Sequence, residues 1–377
     1  MIKTKKSLCF VATVEYALDA FLYDHIIKLS KFYKITVITN CKTKNFLTGK
    51  LNGISVININ FSRKISVLND LVCLFRLIII FSNKKFDVVT SITPKAGLLA
   101  IFAAFFNSVP IRVHCFTGQI WSNKLGLKRW FFKQIDKFIN ITATHNIIDG
   151  KAQYNFLLNE NVISKNNSFV FGNGSICGVN LEKFRPNKKA RSILRKKFNI
   201  PNSAFIFLFV GRLNSEKGIY DLLSAFKKAN LKSTFLFLVG PDEENIGLKL
   251  QQSRNIIIHD YTATPEDFMA SCDLLCLPSY REGFGNVVIE AAASGLPSIV
   301  SDTYGLSDFV ISKKTGFVHK VGDIDEMVRL FKMLYKDKLL VKNIGEKARA
   351  SVIKDFDLNS ISNYWLVFYK NRISKLA

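Results

Sequence analysis

Two glutamates eight residues apart lie in Arg281-Glu282-Gly283-Phe284-Gly285-Asn286-Val287-Val288-Ile289-Glu290. The apolar run before them, Asp273 to Pro278, reads as a strand, and the residues after Gly285 read as a helix to about Ser294. Gly283 and Gly285 permit a tight turn and bring backbone amides close to a ligand. Asn286, Val287 and Val288 then open the helix, where the N–H groups and the positive dipole end suit a phosphate. Glu290 falls about two turns beyond Glu282 on a similar face. A carboxylate there can accept both hydrogens of a ribose diol, as an acidic residue does in dinucleotide-binding folds. Glu282, at the turn, would face whatever the phosphate carries. Gly295 and Pro297 end the block before a strand at Ser298 to Ser301.

A second segment, Phe209-Val210-Gly211-Arg212-Leu213-Asn214-Ser215-Glu216-Lys217-Gly218, also reads as a strand running into a loop. Arg212 offers a planar fork to phosphate oxygens and Lys217 a compact charge, so the pair suits a diphosphate. Alone, the segment is equally a solvated loop with incidental charges. His259-Asp260-Tyr261 ends a later strand. Asp323-Ile324-Asp325 spells a metal-binding D-x-D but follows Gly322 and opens a helix, so Asp323 reads as an N-cap. No metal site is expected.

The first half carries weaker signals. Thr93-Pro94-Lys95-Ala96-Gly97 and Arg112-Val113-His114-Cys115-Phe116-Thr117-Gly118-Gln119-Ile120-Trp121 each follow a strand-like run. Gly118 lets its loop approach a ligand. Glu15 and Asp19 follow the first strand, and Asp149 precedes a helix from Gly150 to Leu158. Asp149 serves a site or merely starts that helix. Gly172, Gly174 and Gly178 suit a hinge or a tight turn.

Strand-like runs alternate with helical stretches throughout, the pattern of parallel α/β layers. In the first half the strands are expected near Leu8–Val14, Ile35–Thr39, Val56–Ile59, Val88–Ile92, Ile111–Phe116 and Ile139–Ala143, with helices at Phe21–Tyr33 and Lys124–Phe138. The second half restarts at Ala204–Gly211. At 377 residues, two doubly wound domains are expected, residues 1–185 and 186–359.

These segments together resemble the retaining GT-B glycosyltransferases of family 4, with their E-x7-E motif. The stretch from His114 to Trp121 looks like the H-x-F-T-G-Q-x-W segment of that family's O-antigen and capsule transferases. The resemblance spans nearly the whole chain and is strongest from Phe209 to Asp302. It implies two Rossmann-like domains facing a central cleft, with the final helix, about 360–377, packed back on the N-terminal domain. It implies a nucleotide-sugar donor, a UDP-sugar, on the C-terminal domain. Arg212, Lys217, Gly283, Phe284, Gly285, Asn286, Val287 and Glu290 would bind it, with Tyr261 near the base. His114 and Glu282 would orient the sugar. Glu15, Asp19, Lys95, Gly118 and Asp149 would lie on the acceptor side. The family's Gly-Gly loop after the first strand is replaced here by Glu15-Tyr16-Ala17. The acceptor implied is a saccharide on polyprenyl diphosphate, a soluble acceptor being the near alternative. No cofactor and no metal are expected.

The chain holds 53 Lys and Arg against 29 Asp and Glu, a net charge of +24. Residues 1–185 carry 25 against 9, or +16, and the remainder 28 against 20, or +8. A basic, aromatic N-terminal half suits an anionic membrane or nucleic acid. No nucleic-acid-binding signature appears, so no nucleic acid is expected. No run of about 18 apolar residues is present and Glu15 interrupts any signal-like start, so a cytoplasmic protein peripheral to the inner membrane is expected. Seven cysteines without metal spacing read as small buried hydrophobes of a reducing compartment. A dinucleotide oxidoreductase would need G-x-G-x-x-G after its first strand, and the chain has none there.

Overall fold

The computed structural model describes residues 5–41, 54–250 and 253–376. It contains two parallel sheets, each in its own compact unit. One unit comprises Met1–Gly178 with Leu358–Ala377, the other Val179–Asp357. The division falls after Gly178 rather than Arg185. Val179 and Phe184 are buried in the second core, and the Val179 N–H donates to the Phe356 carbonyl at 2.8 Å.

The first sheet contains β1 (Ser7–Ala12), β2 (Lys34–Thr39), β3 (Ser55–Asn58), β4 (Val88–Ile92), β5 (Ile111–Phe116), β6 (His145–Ile148) and β7 (Ser168–Val170). Their order is β3-β2-β1-β4-β5-β6-β7, and every pairing is parallel. β1 shows why both faces must be covered. Leu8, Phe10 and Ala12 enter one apolar core and Cys9 and Val11 the other, the two-residue period of a strand. Helices Glu15–Phe21 and Tyr23–Ser30 cover the first face, and helix Val67–Lys84 covers the second.

The final helix, Leu358–Ile373, packs on the first unit's sheet. Trp365 Nε1 donates to the Ile176 carbonyl at 2.8 Å, and the Tyr369 hydroxyl pairs with Thr90 Oγ1 at 2.7 Å. His25 Nδ1 meets Ser362 Oγ at 2.7 Å.

The second sheet contains β8 (Phe205–Val210), β9 (Thr234–Val239), β10 (Ile256–His259), β11 (Leu274–Leu277), β12 (Ser298–Ser301) and β13 (Gly316–His319). It runs β10-β9-β8-β11-β12-β13, again all parallel. Both units are therefore doubly wound, with one reversal of strand order each.

One expected strand is absent. Ile139–Ala143 does not form one, because helix Gly126–Thr142 continues to Thr142 and β6 begins at His145. The β-branched run reads as a strand, yet Asp136, Ile139 and Thr142 recur at three-residue steps on the buried helix face. The helix expected over Phe21–Tyr33 forms as Tyr23–Ser30, and a further helix, Glu15–Phe21, precedes it across a break at Leu22. β7 and β13 are short and were not legible from periodicity.

Candidate active site

In the second unit the strand order reverses between β8 and β11, so the loops leaving their carboxyl ends diverge and open a crevice. Both motifs leave from these two strands. After β8, Asn214 Oδ1 accepts from Lys217 N at 3.1 Å and caps the turn Ser215–Lys217. Gly218 follows with φ of +70°, and a Cβ there would lie 2.0 Å from the Pro278 carbonyl oxygen. Only glycine lets this loop sit against the end of β11.

Three bonds fasten one motif to the other. Tyr280 N donates to the Glu216 carbonyl at 2.9 Å, and Arg281 Nη2 reaches Glu216 Oε2 at 3.0 Å. Lys217 Nζ lies 2.5 Å from Glu282 Oε1, which also accepts from Ser279 Oγ at 2.9 Å. Arg212 Nη1 pairs with Glu243 Oε2 at 2.9 Å, and Asn214 Nδ2 shares that oxygen at 2.7 Å. Glu243, from the loop after β9, was not foreseen, since its segment carries no motif that distinguishes it from a solvated turn.

Beyond Glu282, Gly285 takes φ of +73° and starts helix Asn286–Ala293 without a side-chain cap. Asn286 and Val287 are half-buried on its first turn. Gly283 is held by a neighbour that sequence reasoning missed. At Gly305 an added Cβ would lie 2.5 Å from the Glu282 carbonyl oxygen and 2.6 Å from that of Gly283. The Phe284 ring packs into the core of the second unit. It is buried with its centroid 5.5 Å from that of Phe356, so any donor contact at this position falls to the backbone.

Glu290 is half-buried near the middle of that helix. Burial pushes its carboxyl up to about 7, Lys183 draws it down and Glu266 pushes it up. Lys183 and Glu266 pair at 3.6 Å. Lys183 was also missed, being more than 100 residues away along the chain. Tyr261 is exposed just past edge strand β10, its N–H donating to Asp260 Oδ1 at 2.7 Å.

In the first unit the order reverses between β1 and β4. Thr13 Oγ1 and Thr93 Oγ1 meet there at 2.8 Å. Thr93 has φ of +79°, a costly conformation for a β-branched residue and one that clusters at functional sites. Glu15 is buried at the start of its helix, and Asp19 is half-buried one turn on. Lys95 does not project as an acceptor contact, because its ammonium donates to Asp70 Oδ1 at 2.7 Å and the Lys64 carbonyl at 2.6 Å. Gly118 is buried after β5 with φ of +108°.

His114 lies buried on β5, its Nδ1 2.8 Å from Ser91 Oγ on neighbouring β4. Its ring packs on Gly97, where an added Cβ would lie 2.4 Å from Cε1. Burial lowers its pKa to about 3, so the imidazole is neutral. Asp149 is a structural residue. Its Oδ1 accepts from Ile176 N at 2.9 Å and its carbonyl from Ser175 N at 2.6 Å, which fastens the glycine-rich segment. Helix Lys151–Asn159 is N-capped by Gly150 instead.

Asp323 Oδ1 accepts from Glu326 N at 2.9 Å and so caps helix Ile324–Lys336. Among the described residues no cluster of three or more His, Cys, Asp or Glu is placed to hold a metal ion. Cys9, Cys73, Cys115, Cys177, Cys272 and Cys276 are buried and free, and Cys41 is free and half-buried.

Comparison with known proteins carries the reading further. Residues 190–351 match the family of glycosyl transferases group 1. The chain is 30% identical to the capsular polysaccharide biosynthesis glycosyltransferase CapM of Staphylococcus aureus, covering 79% of this chain and 80% of CapM. It is 26% identical to the UDP-Gal:alpha-D-GlcNAc-diphosphoundecaprenol alpha-1,3-galactosyltransferase of Escherichia coli, over 78% of each chain. In fold it matches Anabaena HepE in complex with UDP and glucose, with a TM-score of 0.83 and 18% identity over 97% of this chain and all of that one. Two doubly wound units and this sequence relationship agree: the chain belongs to the glycosyl transferases group 1 and is a glycosyltransferase of the GT-B, family 4 type found in bacterial polysaccharide synthesis.

Proposed function

We propose that the protein moves a sugar from a UDP-sugar to a saccharide carried on polyprenyl diphosphate, with retention of anomeric configuration, at the cytoplasmic face of the inner membrane. The observation that carries the donor half is the joining of the two motifs at the β8/β11 reversal through Lys217 and Glu282. A crevice at such a reversal is where doubly wound sheets take nucleotides. Arg212, Lys217 and the amide end of helix Asn286–Ala293 receive the diphosphate. Glu290 holds the ribose diol, Tyr261 lies toward the base, and Glu282 orients the sugar. His114 offers Nε2 to a sugar hydroxyl as a neutral hydrogen-bonding group. The acceptor class is supported by the printed specificity of the Escherichia coli relative.

Retention follows from a front-face reaction. The bond from the anomeric carbon to the diphosphate oxygen breaks as the acceptor oxygen approaches the same face. The acceptor proton passes to the departing phosphate oxygen, and the new glycosidic bond forms. Arg212, Lys217 and the helix amides stabilise the charge that develops on the leaving group. In this scheme they serve in place of a divalent cation.

A thermal-shift screen of nucleotide sugars, followed by product analysis with a polyprenyl-diphosphate-linked acceptor, tests the reading. A UDP-sugar should stabilise the protein, and the product should keep the donor's anomeric configuration with EDTA present. An inverted product, transfer to soluble acceptors only, or rescue of EDTA-treated enzyme by a divalent cation would each remove the corresponding part.

A further inference from the structure

The first unit exposes apolar side chains where a helix ordinarily presents polar ones. Helix Val67–Lys84 buries Cys73, Leu77 and Phe81 against the sheet. Its opposite side carries Leu68, Val72, Phe75 and Ile79, spaced four, three and four residues apart, which is one continuous helical stripe. Leu68 is 82% exposed and Phe75 is 63% exposed. Helix Gly126–Thr142 repeats the arrangement, burying Ile139 while leaving Leu127 85% and Trp130 61% exposed, with Phe131 beside them.

The two faces belong to one layer. Between the helices lies the short helix Phe102–Phe106, itself ending in exposed Phe105 and Phe106. Asn107 Nδ2 just beyond it donates to the Ile78 carbonyl of one long helix at 3.2 Å. Phe102 meets Phe138 of the other with ring centroids 5.6 Å apart. An apolar surface of this extent on a folded unit marks an interaction site.

We propose that this face, helix Val67–Lys84 with helix Gly126–Thr142, docks by inserting its apolar side chains into the interfacial layer of an anionic bilayer. Neither helix can cross: among the described residues no helix is long and apolar enough to do so. An amphipathic helix with aromatic and leucine residues on one face instead lies in the plane of the interface. Trp130 is the residue type that favours that depth. Charge selects the partner. Arg76, Lys124, Lys128 and Lys137 lie on or beside the two helices, while their acids are spent internally. Asp70 pairs with Lys95, and Asp136 is buried and accepts from Trp121 Nε1 at 2.7 Å. A second copy would set like charges against each other, whereas anionic headgroups neutralise them. The inference rests on the proposed acceptor only for its purpose, since a polyprenyl diphosphate is presented at such a surface.

Flotation with vesicles of phosphatidylcholine and phosphatidylglycerol tests it, at low salt and at about 1 M NaCl, where the Debye length is about 3 Å. The wild type should float at both. The variant Leu127→Ser, Trp130→Ser, Phe131→Ser should lose partition roughly 100-fold at either salt, with UDP binding unchanged. Leu68→Ser with Phe75→Ser should act in the same direction from the other helix. Lys124→Gln, Lys128→Gln, Lys137→Gln should lower binding at low salt only. Release of the wild type by high salt, or undiminished flotation of both apolar variants, would overturn the proposal. So would a wild-type dimer that the apolar variants convert to monomer without any vesicle binding. Transfer to a short-chain, water-soluble polyprenyl-diphosphate analogue is a separate readout: its failure with flotation intact counts against the acceptor reading and not against the docking face.

Discussion

Lys217 Nζ stands 2.5 Å from Glu282 Oε1, although 65 residues separate the two in the chain. The contact joins the loop after β8 to the turn after β11, and it also occupies a cation assigned to the donor's diphosphate. Arg212 is engaged as well, on Glu243 at 2.9 Å. The two pairs differ in shielding. The Lys217 and Glu282 side chains are 19% and 12% exposed, and those of Arg212 and Glu243 are 35% and 33% exposed. The more exposed pair is the weaker one and the easier for a diphosphate to displace.

If Arg212 receives the diphosphate as proposed, Glu243 competes with it for that guanidinium. Glu243→Gln should tighten UDP binding about 2- to 5-fold, the equivalent of an exposed pair worth ~0.5–1 kcal/mol. Glutamine can still accept from Asn214 Nδ2, so the loop should keep its shape. Arg212→Ala and Lys217→Ala should each weaken UDP binding about 10- to 100-fold, with an effect that shrinks as salt rises. Calorimetric titration with UDP decides, and unchanged or weaker binding by the glutamine variant would remove Glu243 from this role.

Gly305 should be as important to the donor turn as Glu282 itself. Any side chain there meets two carbonyl oxygens at 2.5 and 2.6 Å, both backbone atoms that cannot rotate away. Gly305→Ala should cost about 1–3 kcal/mol of stability, as overpacking does, and displace the 282–283 backbone. Denaturant unfolding and UDP titration should both worsen. A variant with wild-type stability and affinity would show that the turn yields freely.

The strand–turn–helix geometry of the second unit's two motifs was largely legible in the sequence because it is local. Gly218, Glu282, Gly285 and Glu290 are each explained by a strand, a turn and a helix start within about ten residues of one another. Glu243, Gly305 and Lys183 were not legible, because their importance comes from backbone approach or ion pairing across strands, which no spacing reports. The partners of two acceptor-side candidates were not legible for the same reason. Lys95 and Asp149 follow strands as site residues do, yet both are consumed by partners elsewhere in the first unit. Alternation of strand and helix disclosed the doubly wound units, while the β-branched end of helix Gly126–Thr142 misled because propensity yields to burial.

Glu290 should trade stability for function. Its folded pKa, about 7, lies above the ordinary 4.5, so the native protein holds a proton the unfolded chain has released. That contribution is complete below pH 4.5 and is lost as pH rises through 7. Glu290→Gln, which mimics the protonated form, should be more stable than wild type at pH 8 by about 1–3 kcal/mol, with the gap closing toward pH 4.5. It should also bind UDP-sugar about 10-fold more weakly, having lost a charged acceptor for the ribose diol. Unfolding curves at several pH values test the first part. Donor affinity at wild-type level would detach Glu290 from the ribose.

His114 should contribute to acid lability without shaping the activity profile near neutrality. Its folded pKa of about 3 lies below the ordinary 6.5, so between these values the unfolded chain binds a proton that the native chain refuses. The resulting stability is whole above pH 6.5 and fades as pH falls toward 3. His25, with the same direction and a pKa of about 3, adds to the effect. His114→Gln should flatten the stability decline between pH 6.5 and 5 by up to ~1.4 kcal/mol per pH unit, the value of one proton. The kcat/KM profile of the wild type should show no limb from this imidazole between pH 5 and 8, since it stays neutral throughout. Activity of the glutamine variant should fall at every pH by a similar factor, because a hydrogen-bonding group rather than a titrating one has been replaced. A loss confined to one side of neutrality would mean that His114 exchanges a proton in the reaction, and full activity would take it out of the site.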